Sequence, residues 1–239
     1  RGFFVAEEGK TLIDADYSQI ELRVLAHLSG DENMISAFTG GTDIHTQTAA
    51  QVFGVPEEFV TPQMRSRAKA VNFGIVYGIG AYSLGENIGV PYGEAQDYIN
   101  NYLKHYSGVD RYMKESIEQA KERGYAVTAY GRRRYLPELT SSNRNVRAFG
   151  ERVARNMPIQ GTAADIIKIA MVRVQRRLAE EHLDAKLIMQ VHDELIVEAA
   201  ESCAEKAAEI LRFEMENAAQ LSVPMEVSVG MGKTWLEAH

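Results

Sequence analysis

The chain has 239 residues, a formal net charge of −7, 45% hydrophobic residues and one cysteine. That length holds one large domain or two intertwined smaller ones, with the apolar fraction of an ordinary globular protein. No apolar run reaches the roughly 18 residues of a membrane-spanning helix, and the lone Cys203 excludes an internal disulfide framework or a cysteine-rich zinc site.

The opening Arg1-Gly2-Phe3-Phe4-Val5 lacks a signal-peptide pattern and reads as the interior of something longer. Residues 11–16 have the pattern of a short strand. A helix is expected next, with Ser18 as N-cap, Glu21 in the capping-box position, an apolar stripe of Ile20, Val24, Leu25 and Leu28, and Gly30 at its end. Residues 43–123 are patterned mostly as helix, punctuated by Gly54-Val55-Pro56 and Gly89-Val90-Pro91. Two strands at 126–130 and 134–136 flank Gly131, and a polar loop runs through Asn145. Residues 148–181 read as helical with a break near Pro158. A hairpin of 187–191 and 195–197 carries His192-Asp193-Glu194 at its turn. An amphipathic helix at 201–219 and a strand at 225–229 complete the chain. Few strands among many long helices give the α/β (α+β) class, and neither a sandwich nor a barrel.

Charge is unevenly spread. Residues 111–177 hold 15 Lys/Arg against 6 Asp/Glu, while both flanks are acidic. Such a basic middle suits a polyanion, although solvated helix faces account for it equally well.

Three constellations bear on chemistry. Asp16 ends a strand, where a carboxylate is open to a hard cation such as magnesium; an ordinary turn Asp has the same pattern. The helix opening at Thr61-Pro62 sets Met64, Ala68, Val71 and Ile75 on one face and Arg65, Lys69, Phe73 and Tyr77 on the other. Two cations suit phosphates and two aromatics suit bases, but a helix buried on two sides also fits. The third is the acidic turn Asp193-Glu194, for which the competing reading is a plain polar hairpin tip.

The strings Asp14-Ala15-Asp16-Tyr17-Ser18-Gln19-Ile20-Glu21-Leu22-Arg23, Arg65-Ser66-Arg67-Ala68-Lys69-Ala70-Val71-Asn72-Phe73-Gly74-Ile75-Val76-Tyr77-Gly78 and Gln190-Val191-His192-Asp193-Glu194 resemble the three polymerase motifs of the bacterial DNA polymerase I family (family A). The segment from Asn156-Met157-Pro158 to Asp165 is similar as well, and the resemblance extends to the closing Gly232-Lys233-Thr234-Trp235.

The resemblance implies a right-hand architecture: an antiparallel palm from residues 1–23 and 146–239, with the catalytic hairpin at 187–198, and largely helical fingers from 24–145. It also implies that the thumb, the exonuclease domain and the early palm lie outside these residues, so that the 239 residues alone polymerise poorly. Asp16 and Asp193, with the Tyr17 carbonyl, would hold two magnesium ions (manganese a possible substitute), with Glu194 in support. Arg65 and Lys69 would bind the incoming triphosphate, Lys69 doubling as proton donor to pyrophosphate. Gln19 and His45 are further candidates at that phosphate site. Phe73 and Tyr77 would face sugar and base, and Glu21 would exclude a ribose 2′-hydroxyl. Arg152, Asn156, Gln160 and His192 would contact DNA. The implied partners are primer–template DNA and deoxynucleoside triphosphates, for a monomer in the bacterial cytoplasm, at the nucleoid and on no membrane. Two alternatives are a two-metal nuclease or phosphatase and a non-catalytic nucleic-acid-binding module. The Arg65 to Tyr77 stripe disfavours the first, and intact Asp16, Asp193, Lys69 and Arg65 disfavour the second.

Overall fold

A computed structural model describes residues 1–41 and 43–239. β1 (Lys10–Tyr17) extends the expected strand by one residue at each end. α1 (Ile20–Ser29) starts later than the Ser18 cap would require. The physical reason lies in the backbone: Ser18 N–H is held by the Glu226 carbonyl at 2.9 Å, and the chain then turns through Gln19 at φ 58 before it can coil. α2 (Glu32–Thr39), absent from the sequence expectation, is capped by Asp31, whose carboxylate accepts from Met34 N–H at 2.9 Å.

The long helical stretch resolves into α3 (Ile44–Phe53), α4 (Pro62–Val76), α5 (Ala81–Ile88), α6 (Tyr92–His105) and α7 (Ser107–Arg123). β2 (Tyr125–Val127) and β3 (Arg133–Tyr135) form a short hairpin, which leaves Tyr130 in the turn and not in a strand. α8 (Arg144–Glu180) is continuous across Pro158, so the expected break does not occur. A missing N–H and a ring clash cost about 3 kcal/mol in a helix interior. Full burial of Ala154 and Ile159 on either side offsets that cost. β4 (Ala185–Val191), β5 (Glu194–Ala200), α9 (Ala204–Glu216), β6 (Val227–Gly232) and the short α10 (Trp235–Ala238) follow.

The chain divides into two compact units, Arg1–Ile20 with Ala163–His239, and Glu21–Thr162. The first is built on an antiparallel sheet in the order β4-β5-β1-β6. Side chains alternate along β1, so its two faces have different neighbours. Tyr17, on one face, donates its hydroxyl to the Met215 carbonyl of α9 at 2.8 Å. Leu12, on the other, packs with Ile196, Trp235 and Ala238. α10 lies this close because Gly230 has no side chain: a Cβ there would sit 2.1 Å from the Ala238 carbonyl oxygen.

In the unit Glu21–Thr162, α3 and α4 are joined by a buried polar chain. Asn72 sits between them, its amide nitrogen 2.9 Å from His45 Nδ1 and its oxygen accepting from the Thr48 hydroxyl at 3.2 Å. Asp31 joins the starts of two helices, since it also accepts from Gly108 N–H at 2.7 Å. No helix among the described residues is long and apolar enough to cross a membrane.

Candidate active site

The central strand β1 carries Asp14 and Asp16 on the same face, two residues apart. Asp16 stands directly opposite Glu194 on β5. Tyr17 N–H donates to the Asp193 carbonyl at 3.3 Å, which fastens the end of β1 to the β4–β5 turn. Four carboxylates thereby come under one another's influence. Burial first, then the charges of Asp193, Glu194 and Asp14, push the Asp16 carboxyl up to about 6, against a smaller opposing effect of His239. Asp14 and Asp193 are raised too, chiefly by burial and further by Glu194.

Asp14 Oδ1, Asp16 Oδ1 and Glu194 Oε2 are buried without a hydrogen-bond partner among the described residues. Orphaned, mutually repelling carboxylate oxygens match what a hard divalent cation requires, so the donor set fits magnesium or manganese. The backbone here is also unusual. Gln19 at φ 58 and His192 at φ 52 are left-handed without being glycine, a conformation costing about 1–2 kcal/mol. One follows Asp16 by three positions and the other immediately precedes Asp193.

A second ring of residues around these acids was not anticipated from sequence. Arg1 Nη2 lies 2.5 Å from Glu194 Oε1, and His239 Nδ1 lies 3.1 Å from Asp14 Oδ2 and 3.7 Å from Glu194 Oε1. Trp235 Nε1 donates to Asp14 Oδ2 at 3.3 Å. Asp14, Glu194 and His239 thus offer ligand atoms within 4.8 Å of one another. The two-residue spacing of Asp14 and Asp16 was the signal available for the first of them.

In the other unit, α4 opens as the sequence indicates, with the Thr61 hydroxyl accepting from Met64 N–H at 3.2 Å and Pro62 in the first turn. Ala68, Val71 and Ile75 are buried, whereas Arg65, Lys69 and Tyr77 are exposed and Phe73 is half-buried. The Phe73 and Tyr77 rings stack at 6.5 Å and 17°. Arg65 is not idle: its guanidinium forks onto Asp43 at 2.7 and 3.1 Å. Although burial opposes it, hydrogen bonds from Arg65 and Thr46 draw the Asp43 carboxyl down to about 2. His45 is almost fully buried, and burial lowers it to about 4, with Asp43 opposing and Arg65 and Lys69 reinforcing the shift. It is therefore neutral near pH 7, with Asn72 as partner of its Nδ1.

Arg152, Asn156 and Gln160 recur at four-residue steps along α8, the first and last exposed. Asn156 donates to the Tyr77 carbonyl at 3.2 Å. A cavity of about 620 Å³ is lined by Ala70, Phe73, Tyr77, Ile79 and Arg152, among others. It joins the aromatic end of α4 to the basic face of α8. Glu21 lies in the first turn of α1, and His192 is exposed at its turn.

The model of DNA polymerase family A matches residues 1–237. DNA polymerase I of Caldicellulosiruptor bescii is 52% identical over 237 residues, 99% of this chain and 28% of that protein. The thermostable DNA polymerase I of Thermus aquaticus is 50% identical over 238 residues, covering 100% and 28%. The chain therefore spans little more than a quarter of the length of these relatives. Among solved structures, the POL domain of Pol1 from M. smegmatis, in complex with DNA primer-template and dNTP, superposes with a TM-score of 0.95 at 46% identity, over 100% of this chain and 42% of that one.

Proposed function

The chain belongs to DNA polymerase family A, and from that premise we propose that it serves template-directed DNA synthesis, joining deoxynucleoside monophosphates to a primer 3′-hydroxyl with release of pyrophosphate. The observation that carries the reading is the cluster of buried, partnerless carboxylate oxygens where β1 meets the β4–β5 turn. In this reading residues 1–23 and 146–239 are palm and 24–145 are fingers. The compact units divide instead after Ile20 and Thr162, which groups the first half of α8 with the fingers residues.

Asp16, Asp193 and the Tyr17 carbonyl are the groups to hold two magnesium ions, with Glu194 supporting them. Bound cations of this kind would lower the pKa of the primer hydroxyl and offset charge on the triphosphate. The primer 3′-oxygen attacks the α-phosphorus as the bond to pyrophosphate breaks. Lys69, exposed on α4, binds the triphosphate with Arg65 and donates a proton to the departing pyrophosphate. Arg65 must leave Asp43 or share it to do so, and the forked geometry of that pair supports a guanidinium held ready in one orientation. His45, neutral and fixed by Asn72, contributes to phosphate binding as a hydrogen-bonding group and not as a cation. Gln19 is a further candidate there.

Phe73 and Tyr77 provide the platform for sugar and base, and Glu21 excludes a 2′-hydroxyl. Arg152, Asn156, Gln160 and His192 touch primer–template. The bacterial source of the relatives supports action in the cytoplasm, at the nucleoid. The 239 residues alone should extend a primer poorly, so the test is primer extension with magnesium by a protein of the relatives' full length, beside metal-dependent deoxynucleotide binding, in wild type and Asp193→Ala. Extension and metal-dependent binding should both be lost in the variant, extension by about 10³-fold or more. Wild-type protein that shortens labelled duplex without deoxynucleotides, yet never extends it, would establish a nuclease instead.

A further inference from the structure

Residues 123–135 contain four arginines and three tyrosines with no acidic residue, in a chain whose net charge is −7. No role assigned above uses them. The β2–β3 hairpin orders this segment. Tyr125 pairs with Tyr135 and Val127 with Arg133, so these four share one face of the ribbon. On the opposite face Ala126 is buried with Ala120, Leu136, Leu139 and Ala154, which turns the tyrosine face outward. Tyr135 is 69% exposed and Tyr130, at the turn, 49%. The Arg133 guanidinium lies 5.0 Å from the Tyr125 ring centre, and the Tyr125 and Tyr135 rings meet edge-on at 5.7 Å.

Exposed rings of this size leave apolar surface in water and need a reason. Flat aromatic faces beside fixed cations are what a strand of unpaired nucleotides binds: bases stack on the rings and phosphates meet the guanidinium groups. A duplex offers the phosphates but keeps its base faces to itself, and an acidic peptide has no use for the rings. We propose that the outward face of the β2–β3 hairpin, built from Tyr125, Tyr130, Tyr135 and Arg133, binds single-stranded DNA. Its residues are other than Arg152, Asn156 and Gln160, and binding there can be measured without any synthesis, so it stands or falls apart from the polymerase reading.

Filter binding of labelled oligothymidylate, blunt duplex and primer–template with an unpaired overhang provides the test, in wild type, Tyr135→Ala, Tyr135→Phe and Arg133→Ala. Tyr135→Ala should weaken oligothymidylate binding roughly tenfold, as loss of one stacked base does, while Tyr135→Phe keeps it. Arg133→Ala should reduce the slope of log affinity against log salt by about 0.7, one phosphate of a single strand. Blunt duplex should be unaffected. If the overhang is the natural ligand, its advantage over blunt duplex disappears in Tyr135→Ala; if only free oligothymidylate responds, the site takes single strands from another source. Unchanged oligothymidylate binding in Tyr135→Ala with an unaltered melting temperature overturns the proposal. So does equal weakening of all three DNAs, or competition by polyglutamate as effective as by oligothymidylate.

Discussion

Asp16 is the residue at which charge and fold oppose each other most directly. Its carboxyl titrates near 6 in the folded chain against about 4 in an unfolded one. The folded state thus holds the proton more tightly, and the contribution of Asp16 to metal-free stability is full below about pH 4 and is lost as pH rises through 6. Asp16→Asn should remove that contribution and leave the smaller ones of Asp14 and Asp193. After discounting for solvent screening, metal-free Tm at pH 7 should rise by about 2–4 °C, the shift roughly 1 kcal/mol gives a chain of this size. Saturating magnesium should reverse the order, stabilising wild type and leaving the variant unmoved. Calorimetry across pH with and without metal decides it. Glu21 invites a second measurement at this scale: if it excludes the ribose 2′-hydroxyl, Glu21→Ala should incorporate ribonucleotides at least about tenfold better relative to deoxynucleotides, the discrimination one steric contact typically provides. Equal ratios in variant and wild type would remove that role.

Elements show why some features were legible in the sequence and others were not. β1, the acidic hairpin and α4 announce themselves by alternation, by an acidic turn between apolar strands, and by Thr61-Pro62 with a one-sided apolar stripe. α10 could not be read: four residues are too few for a period, and what holds them is Thr234 and Glu237 capping each other and a glycine pair on the strand beneath. Pro158 misled because local propensity ignores the burial around it. Within the candidate site, Asp16, Asp193, Arg65 and Lys69 carried a signal. Arg1, His239 and Asp43 did not, because a partner distant in sequence leaves no spacing to detect.

Substitutions at two positions test elements as such. Gly230→Ala should cost about 1–3 kcal/mol, the range for overpacking, because α10 must move away from its strand. Asp43 plays two parts, capping α3 through Thr46 N–H at 2.9 Å and gripping a half-exposed Arg65. Asp43→Asn retains the cap and should cost no more than about 1 kcal/mol. Asp43→Ala loses both and should cost roughly 1 kcal/mol beyond that. Urea denaturation of the pair separates the contributions; equal losses would show that the cap carries no weight.

Across the whole molecule, residues 111–177 have a surplus of 15 − 6 = +9, so the remaining residues carry −7 − 9 = −16. If the chain binds DNA as proposed, its affinity must then come from a local surface working against the average field, and it should fall steeply with salt. Arg152→Ala should lower the log–log salt slope for duplex by about 0.9, the value of one phosphate contact, with no change in sequence preference.

Trp235 is the chain's single tryptophan. Its indole is 7% exposed, lies edge-on to Phe4 at 5.4 Å, and has its one polar atom on Asp14. Emission excited at the red edge, where tyrosine is dark, therefore comes from one place, next to the acid cluster. Ion capture or protonation there can be followed as a change in fluorescence intensity or wavelength, with no dye attached and no residue replaced.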